Sequence, residues 1–283
     1  MAEKTSLRYY FLIILILILS NVFVWRFVFG LNNNLKVIFF DIGQGDSIFI
    51  ETPTKHQILI DGGPSNSTIE KLGKVMPFWD KTLDVVVLTH PDYDHLRGLL
   101  DILDYYKVEN IIWTSELSQG KTFEAWQEKI KKEKASIYFA KAGMKITTYQ
   151  TKIDILYPAE LPRKNSKNNN DTSIVARMVF GQTEFFFSGD INREIEQEIV
   201  LGGHNILSDV LKVSHHGSKS ATSLEFLANI KPSVAVISSG KNNSYGHPHQ
   251  EVLSVLREFG IKILRTDQMG DIKIISDGRN IFY

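Results

Sequence analysis

The first thirty-four residues contain the longest apolar stretch of the chain. Aliphatic and aromatic residues run without a break over 11–19, and the apolar character resumes over 22–25. A helix that crosses a bilayer needs roughly 20 such residues. The run is long for the core of a signal peptide, and no small-residue cleavage site follows it. The pattern therefore predicts an uncleaved membrane anchor and linker over residues 1–34, with a cleaved signal peptide or a buried helix as the alternatives.

Positive charges flank this stretch on both sides. Lys4 and Arg8 precede it, and Arg26 and Lys36 follow it. Because positive charge tends to stay on the cytoplasmic side of a membrane, this nearly balanced pattern slightly favours an N-terminus inside the cell. We therefore expect a single-pass protein of the cell membrane whose remaining residues lie outside the cytoplasm.

Short strand-like and helix-like segments alternate over residues 35–283. The strand-like segments are β-branched or aromatic and are bounded by Gly, Asn, Asp or Pro. Early strands follow one another through turns, whereas later ones are separated by helices, which predicts two sheets with helices outside them in one α/β (α+β) domain. The predicted strands are 35–40, 47–51, 57–60, 85–89, 110–113, 136–139, 152–157, 173–180, 184–187, 210–213, 234–238, 262–264 and 271–276, and the predicted helices are 67–74, 96–106, 122–134, 193–201, 223–228 and 248–259.

Composition and charge narrow the classes of function. Lys and Arg number 32, Asp and Glu also number 32, and 43% of the residues are hydrophobic, which is typical of a globular protein. A net charge of zero gives no general attraction to nucleic acid, so binding to DNA or RNA would need a local patch or a metal site. The absence of cysteine excludes disulfide partners, thiolate zinc sites and cysteine nucleophiles.

Four side chains that can bind metal follow one apolar strand. His90, Asp92, Asp94 and His95 lie within six positions of the chain. His90 and Asp92 can point to one side of an extended tip, while Asp94 and His95 can face a second ion. The alternative is a solvated turn with Asp92 or Asp94 as a helix N-cap. Because mixed imidazole and carboxylate ligands suit Zn or Mn, the segment predicts one or two divalent ions.

Further candidate residues follow later strands. Asp190 ends an apolar strand, where an unpartnered aspartate would be costly to bury, although an Asx-turn is the alternative. His215 and His216 follow another strand, and adjacent residues tend to point opposite ways there. We expect His215 to face the site. Lys212, Lys219 and Lys241 flank the histidine motifs and are predicted to meet phosphate groups.

These motifs together resemble the metallo-β-lactamase superfamily, whose signature is His-x-His-x-Asp-His at the end of a strand. Asp92 stands where the superfamily has its second histidine. In this respect, and in the motifs given next, the chain is similar to the hydrolase domain of the ComEC family of competence proteins. The resemblance covers residues 35–283 and implies an αββα sandwich. The motifs are FDIGQGDS at 40–47, LIDGG at 59–63, SGD at 188–190, SHHGS at 214–218 and YGHPH at 245–249.

The resemblance also implies roles for individual residues. Asp190 would bridge two cations, Asp94 would orient or deprotonate a water, and His215 would assist departure of the leaving group. A third histidine that the superfamily usually supplies is missing, since no histidine lies between 96 and 203. An oxygen of Asn170 or Asp171 could replace it, or this segment is a plain polar loop. The implied metal ligands are His90, Asp92, Asp94, His95, Asp190 and His247.

A second group of residues is expected around the metal ligands. Asp61 could support a ligand histidine, and Gln44 could face the substrate. Both lie in segments that glycine-containing turns would also explain. The complete group that we expect to bind substrate or support the ligands is Asp41, Gln44, Asp61, Asn170, His216 and Ser218.

The function implied by the resemblance is a membrane-anchored, metal-dependent hydrolase. Its expected substrate is single-stranded DNA, cleaved as a phosphodiester, and its expected partner is the competence machinery. Two alternatives stay open at this point. One is a hydrolase of small esters, lactones or phosphodiesters on the same scaffold, and the other is a metal-binding component without catalytic activity.

Overall fold

The computed structural model describes residues 2–29, 33–114, 118–160 and 168–283, with the side chains of 2–8 and 26–29 excepted. The chain forms two compact units, Met1–Asn33 and Asn34–Tyr283. Each is described by itself below.

The first unit consists of helix α1 (Ala2–Phe29). Among the described residues, no helix is long and apolar enough to cross a membrane. The predicted transmembrane helix is therefore wrong, and so is the predicted single-pass membrane protein with an extracytoplasmic domain.

The second unit is built from strands and helices that alternate along the chain. The strands are β1 (Leu35–Phe39), β2 (Ile48–Glu51), β3 (Gln57–Ile60), β4 (Thr82–Val87), β5 (Lys107–Trp113), β6 (Ser136–Phe139), β7 (Lys145–Thr147), β8 (Thr151–Tyr157), β9 (Val175–Phe180), β10 (Thr183–Phe187), β11 (Val210–Lys212), β12 (Val234–Ile237), β13 (Lys262–Arg265), β14 (Ile272–Ser276) and β15 (Ile281–Phe282). The helices are α2 (Ser67–Val75), α3 (Tyr93–Tyr105), α4 (Lys121–Lys132), α5 (Arg193–Leu201), α6 (Leu224–Ile230), α7 (Gln250–Glu258) and α8 (Thr266–Met269), and two short 3₁₀ turns cover Asn169–Thr172 and Ser214–Gly217.

These strands form two sheets of similar design. The first has the order β15-β14-β1-β2-β3-β4-β5-β6, and the second has the order β13-β12-β11-β10-β9-β8-β7. In each sheet an antiparallel part continues as parallel strands, β3 to β6 in the first and β10 to β13 in the second. In parallel strands the carboxyl ends share one edge of the sheet, where α/β proteins place their sites.

The apolar side chains pack in three layers. A central cluster joins the facing sides of the two sheets, a second joins the first sheet to α2, α3 and α4, and a third joins the second sheet to α5, α6 and α7. The triplet Phe185–Phe187 shows the alternation that a strand imposes. Phe185 and Phe187 lie in the central cluster, whereas Phe186 contacts Phe226 of α6 with ring centroids 5.5 Å apart. The predicted α/β domain with two sheets and helices outside them is confirmed.

Candidate metal centre

The loop between β4 and α3 carries the first candidate ligands. Asp92 immediately precedes α3 with an extended backbone, but its carboxylate makes no capping hydrogen bond to the helix. Asn169 instead donates to Asp92 Oδ1 at 2.5 Å. Because Asp92 does not cap the helix, its second carboxylate oxygen is available to the histidine cluster. This oxygen, Oδ2, lies 3.7 Å from His90 Nε2.

His95 and His90 are oriented by one buried carboxylate, that of Asp61. His95 Nδ1 donates to Asp61 Oδ2 at 2.8 Å. The same carboxylate accepts from the Thr89 amide at 2.8 Å and from the Thr89 hydroxyl at 2.6 Å. Since that hydroxyl proton points to Asp61, Thr89 Oγ1 can only accept from His90 Nδ1, which lies 3.0 Å away. In both histidines the Nδ1 hydrogen is thereby assigned, which leaves Nε2 as an acceptor.

His216 follows a strand of the second sheet, and its hydrogen is also on Nδ1. It lies in the turn after β11, where His215 and His216 have φ of 49° and 54°. His216 Nδ1 donates to the carbonyl of Ser238 at 2.9 Å. We call His90, His95 and His216 the inner histidines. Each is buried, and each uses Nδ1 to bond to the protein.

The Nε2 atoms of the inner histidines meet the carboxylate of Asp190, just beyond β10. Asp190 Oδ2 lies 3.4 Å from His95 Nε2 and 3.1 Å from His216 Nε2. Among the described residues, all three Nε2 atoms are buried without a hydrogen-bond partner. Unprotonated nitrogens that face a carboxylate require positive charge between them, and that charge is a proton or a metal ion. These residues therefore fit a divalent metal ion.

The pKa shifts of the clustered side chains also indicate that positive charge is stabilised at this site. Burial, the largest single effect, would lower the pKa of His95 and His216, but the neighbouring carboxylates together outweigh it. Asp190 with Asp61 and Asp94 raises the pKa of His95 well above its usual range, and Asp190 with Asp46 and Asp94 raises that of His216 to about 9. Burial would raise the pKa of Asp190, yet His216, His95 and Lys212 hold it well below its usual range. In the metal-free protein, protons thus occupy places for which a metal ion would compete.

Two further carboxylates contact the same cluster. Asp94 Oδ2 lies 3.5 Å from His216 Nε2, and Asp46 Oδ1 lies 3.7 Å from His216 Nδ1. Within the described part of the chain, four sets of residues offer ligand atoms that all lie within 4.8 Å of one another. The sets are His90 with His95 and Asp190, Asp94 with His95 and His216, Asp46 with Asp190 and His216, and Asp46 with Asp61 and His95.

Three other histidines form a more open rim beside this cluster. We call His215, His247 and His249 the rim histidines. His247 is 5.5 Å from His215 and 5.0 Å from His249 between ring centroids. Burial, then the charges of His215 and His216, lower the pKa of His247 to about 4. His247 was expected to bind metal, but it lies outside the four sets, with its ring centroid 6.4 Å from that of His216.

The rim also contains two of the predicted substrate-binding residues. Gln44 Nε2 lies 3.5 Å from His247 Nδ1, and Asn170 Nδ2 lies 3.4 Å from His215 Nε2. Asp171 is outside the four sets of His, Asp and Glu ligands, so it does not stand in place of the missing histidine there. Asp171 instead accepts a hydrogen bond from Asn192 at 3.0 Å.

Two predicted site residues have contacts away from the cluster. The backbone amide of Asp41 donates to Asp271 at 2.8 Å. The hydroxyl of Ser218 lies 2.9 Å from that of Ser220. Both sets of contacts stabilise loops, and neither residue belongs to the four sets.

Sequence reasoning missed three residues at the centre or beside it. Asp46 was interpreted only as part of a glycine turn, and Asn169 was not singled out as a partner of Asp92. Lys212 was expected to meet phosphate, but its side chain is buried against Asp46 and Asp190. The available signal was a lysine inside the apolar stretch Val210–Val213, because such a lysine needs a buried carboxylate.

The comparisons with known proteins agree with this fold and site. Residues 40–241 match the metallo-beta-lactamase superfamily, so the chain belongs to that superfamily. Its fold and the side chains at the sheet edge are those of a metal-dependent hydrolase that binds a divalent metal.

Two curated relatives confirm the resemblance to competence proteins. The chain is 37% identical to ComE operon protein 3 of Bacillus subtilis (strain 168) over 264 residues, which cover 86% of this chain and 33% of the relative. It is 29% identical to competence protein ComA of Neisseria gonorrhoeae over 245 residues, 85% of this chain and 32% of the relative. The chain therefore spans about a third of the length of these relatives.

A solved structure shows the same fold. The metallo-beta-lactamase fold protein YhfI from Bacillus subtilis superposes with a TM-score of 0.58 at 12% sequence identity, covering 86% of this chain and 100% of YhfI. At such low identity the likeness concerns the fold alone.

Proposed function

We propose that this metal-dependent hydrolase is a phosphodiesterase that cleaves single-stranded DNA, with Zn or Mn as its cation, and that it serves the competence machinery. The observation that carries the metal chemistry is the pair of unpartnered Nε2 atoms of His95 and His216 that face Asp190 Oδ2, with the unpartnered Nε2 of His90 in the same cluster. The names of the two curated relatives support a role in competence. DNA as substrate rests on the resemblance to the ComEC family.

The ligands would be the inner histidines with Asp190 and Asp94. Asp92 is outside the four sets, but its Oδ2 lies 3.7 Å from His90 Nε2, so it would stand beside the ion. When bound, a divalent cation supplies Lewis-acid polarisation of the ester and lowers the pKa of bound water. Asp94 is suited to orient the attacking water. Although burial would raise the pKa of Asp94, His95 and His216 hold it well below its usual range, so the carboxylate is ionised and accepts hydrogen bonds.

His215 is suited to move a proton at the departing oxygen. It is half-buried at the rim, and burial lowers its pKa, so its imidazole is mostly neutral at pH 7. A neutral imidazole can take up a proton and deliver it to a leaving group. Asn170, at 3.4 Å, holds this ring from the side of the 3₁₀ turn.

Cationic groups next to the rim offer contacts for a phosphate backbone. Lys219 and Lys241 are exposed. The amide of Lys219 donates to His249 Nδ1 at 3.3 Å, and Lys241 follows Gly240, whose amide donates to Gln44 at 3.2 Å. The backbone of both lysines therefore lies close to the rim histidines. Backbone charge is the part of DNA that lysine reads without regard to sequence.

A groove beside Asp92 offers a further contact for a nucleic acid strand. It encloses about 230 Å³ and leads from Asp92 past Asn169 to Lys121, the first residue of α4. A helix N-terminus and a lysine both favour phosphate groups. A single strand that passed from the metal centre into this groove would therefore meet Lys121 as well.

The test is cleavage of labelled single-stranded DNA by the full chain with Mn²⁺ or Zn²⁺. The variant Asp92→Ala/Asp94→Ala should lose metal-dependent cleavage. The matched control Asp101→Ala/Asp104→Ala, which removes two carboxylates further along the same helix, should keep it. Bound metal with intact DNA would contradict the nuclease assignment.

The zero net charge of the chain favours one competing function, hydrolysis of a small ester or lactone, because such a substrate needs no cationic surface. A panel of small esters, lactones and phosphodiesters, assayed with the same protein, separates the two. Turnover of a small ester without DNA cleavage would select this second function. Bound metal without any turnover would select a non-catalytic metal-binding component.

A further inference from the structure

Lys212 is a fully buried lysine under the metal centre. It ends β11 between Leu211 and Val213, and its side chain is 1% exposed. Its ammonium contacts the carboxylate of Asp46, Asp190 Oδ1 at 3.3 Å and the carbonyl of Gly189 at 3.1 Å. An ammonium has three hydrogens to donate, and these three acceptors match them.

The charge of Lys212 is stable in this surrounding. Burial alone would lower its pKa, but Asp46 and Asp190 outweigh burial and raise the pKa above its usual value. Lys212 therefore stays protonated at all ordinary pH values. It cannot reach solvent, so it does not act as a surface contact for phosphate.

The contacts of Lys212 decide which oxygen of Asp190 faces the histidines. Oδ1 accepts from Lys212, whereas Oδ2 faces His95 and His216 at 3.4 and 3.1 Å. Asp46 is held in a similar way. Its Oδ2 contacts Lys212, and its Oδ1 is buried, has no hydrogen-bond partner and lies 3.7 Å from His216 Nδ1. One ammonium thus fixes two carboxylates of the cluster.

Asp46 is brought into place by a close approach of the backbone. Gly45, the residue before it, has φ of 128°, and a Cβ there would lie 2.1 Å from the carbonyl oxygen of Asp94. Only glycine permits this packing of the loop against the first turn of α3. The glycine loop therefore has a specific consequence, which is to place the Asp46 carboxylate beside Lys212.

We propose that Lys212 and Asp46 are positioning residues of the metal centre: the Lys212 ammonium, anchored by Asp46, holds Oδ1 of Asp190 away from the inner histidines and so presents Oδ2 to the metal. This inference rests on the proposed metal centre. Removal of an outer partner of this kind typically lowers metal affinity by about 10- to 100-fold.

The test is Mn²⁺ binding to the full chain, followed by the electron paramagnetic resonance signal of free and bound Mn²⁺. Lys212→Met should weaken binding by about 10- to 100-fold and change the spectrum of the bound ion. Asp46→Asn, which keeps Lys212 and the shape of the side chain, should act in the same direction. In the double variant, the loss of binding free energy should be smaller than the sum of the losses in the two single variants, because both residues act through Asp190. Lys152→Met, an exposed lysine of the same sheet, is the control and should bind as the unmodified chain does.

Folding of each variant is checked by its circular dichroism and by its melting temperature without metal. If Lys212→Met does not fold, Asp46→Asn carries the test. Unchanged Mn²⁺ affinity and spectrum in a folded variant, with only a lower melting temperature, would overturn the inference while the metal centre stands. Absence of Mn²⁺ and Zn²⁺ binding in the unmodified chain would instead overturn the proposed function, and the inference with it.

Discussion

The inner histidines and the rim histidines lie side by side but are held very differently. Each inner ring is buried and has its Nδ1 hydrogen assigned by Thr89, Asp61 or Ser238 at 2.8 to 3.0 Å. In contrast, the contacts of the His215 and His247 side chains with amide groups are longer and therefore weaker, at 3.4 to 3.5 Å. The inner group is therefore preorganised, whereas the rim group can adjust.

This difference assigns the two groups to different tasks. A metal ligand benefits from a fixed ring orientation and a fixed tautomer, which outer hydrogen bonds provide. A group that transfers protons or follows a moving substrate needs freedom instead. His215 and His216 are adjacent in sequence, yet one belongs to each group, so this pair offers the sharpest comparison.

The largest effect is expected for His216→Ala. The variant loses one of the three buried Nε2 atoms of the cluster. We therefore expect a larger loss of metal affinity than the loss of about 10- to 100-fold that follows removal of an outer partner. Metal content after dialysis, measured by mass spectrometry, checks this. A variant that retained metal like the unmodified chain would place His216 outside the centre.

His215→Ala should behave in the opposite way. We expect full metal content, because His215 belongs to no ligand set, together with a fall in kcat of about 10²- to 10⁴-fold from the lost proton transfer. Steady-state kinetics on labelled single-stranded DNA, the proposed substrate, with metal content measured in parallel, tests both parts. Equal loss of metal in the two histidine variants would remove the distinction between inner and rim groups.

A smaller effect is expected for Asp61→Asn. The amide can still accept from Thr89 or His95 through its oxygen, but it cannot balance charge, so metal affinity should fall by about 10- to 100-fold. Asp84→Asn is a suitable control, since Asp84 lies in the neighbouring strand β4, where it accepts a hydrogen bond from His56 Nδ1 at 2.9 Å. Competition with a metallochromic chelator measures both variants. An unchanged affinity in Asp61→Asn would show that the Asp61 carboxylate does not support the ligands.

The smallest expected effect is a pH dependence of the metal-free protein. His216 titrates near 6.5 when unfolded and at about 9 when folded, because Asp190 and Asp46 outweigh its burial. Its protonation therefore stabilises the fold fully below pH 6.5, and this stability is lost as the pH rises to about 9. Calorimetry of chelator-treated protein should show a falling melting temperature across this window. The fall should be smaller in His216→Ala, and an identical slope in both proteins would contradict the assigned pKa.

Much of the fold was predictable because its signals are local. Strands β3 and β6 and helix α5 have the predicted bounds, and most others differ by a few residues at their ends. Strands β7 and β15 were missed because they have only three and two residues. The membrane anchor was predicted from the length of the apolar run and the absence of a cleavage site, and that prediction was wrong.

The site was predictable where its residues are close in sequence and not where the fold brings them together. The cluster from His90 to His95 could be seen at a strand end. The orientation of His216 could not, because alternation applies to extended strands and both histidines of this turn have positive φ. The place of Asp46 depends on the contact of Gly45 with Asp94, a long-range packing that no local pattern indicates.

The most direct test of the metal centre is a crystal structure of the protein soaked with Zn²⁺ or Mn²⁺, with anomalous scattering to locate the ion. We predict a peak between Asp190 Oδ2 and the Nε2 atoms of His95 and His216. A peak among the rim histidines alone, or no peak at this cluster in a protein that binds the ion in solution, would contradict the central claim.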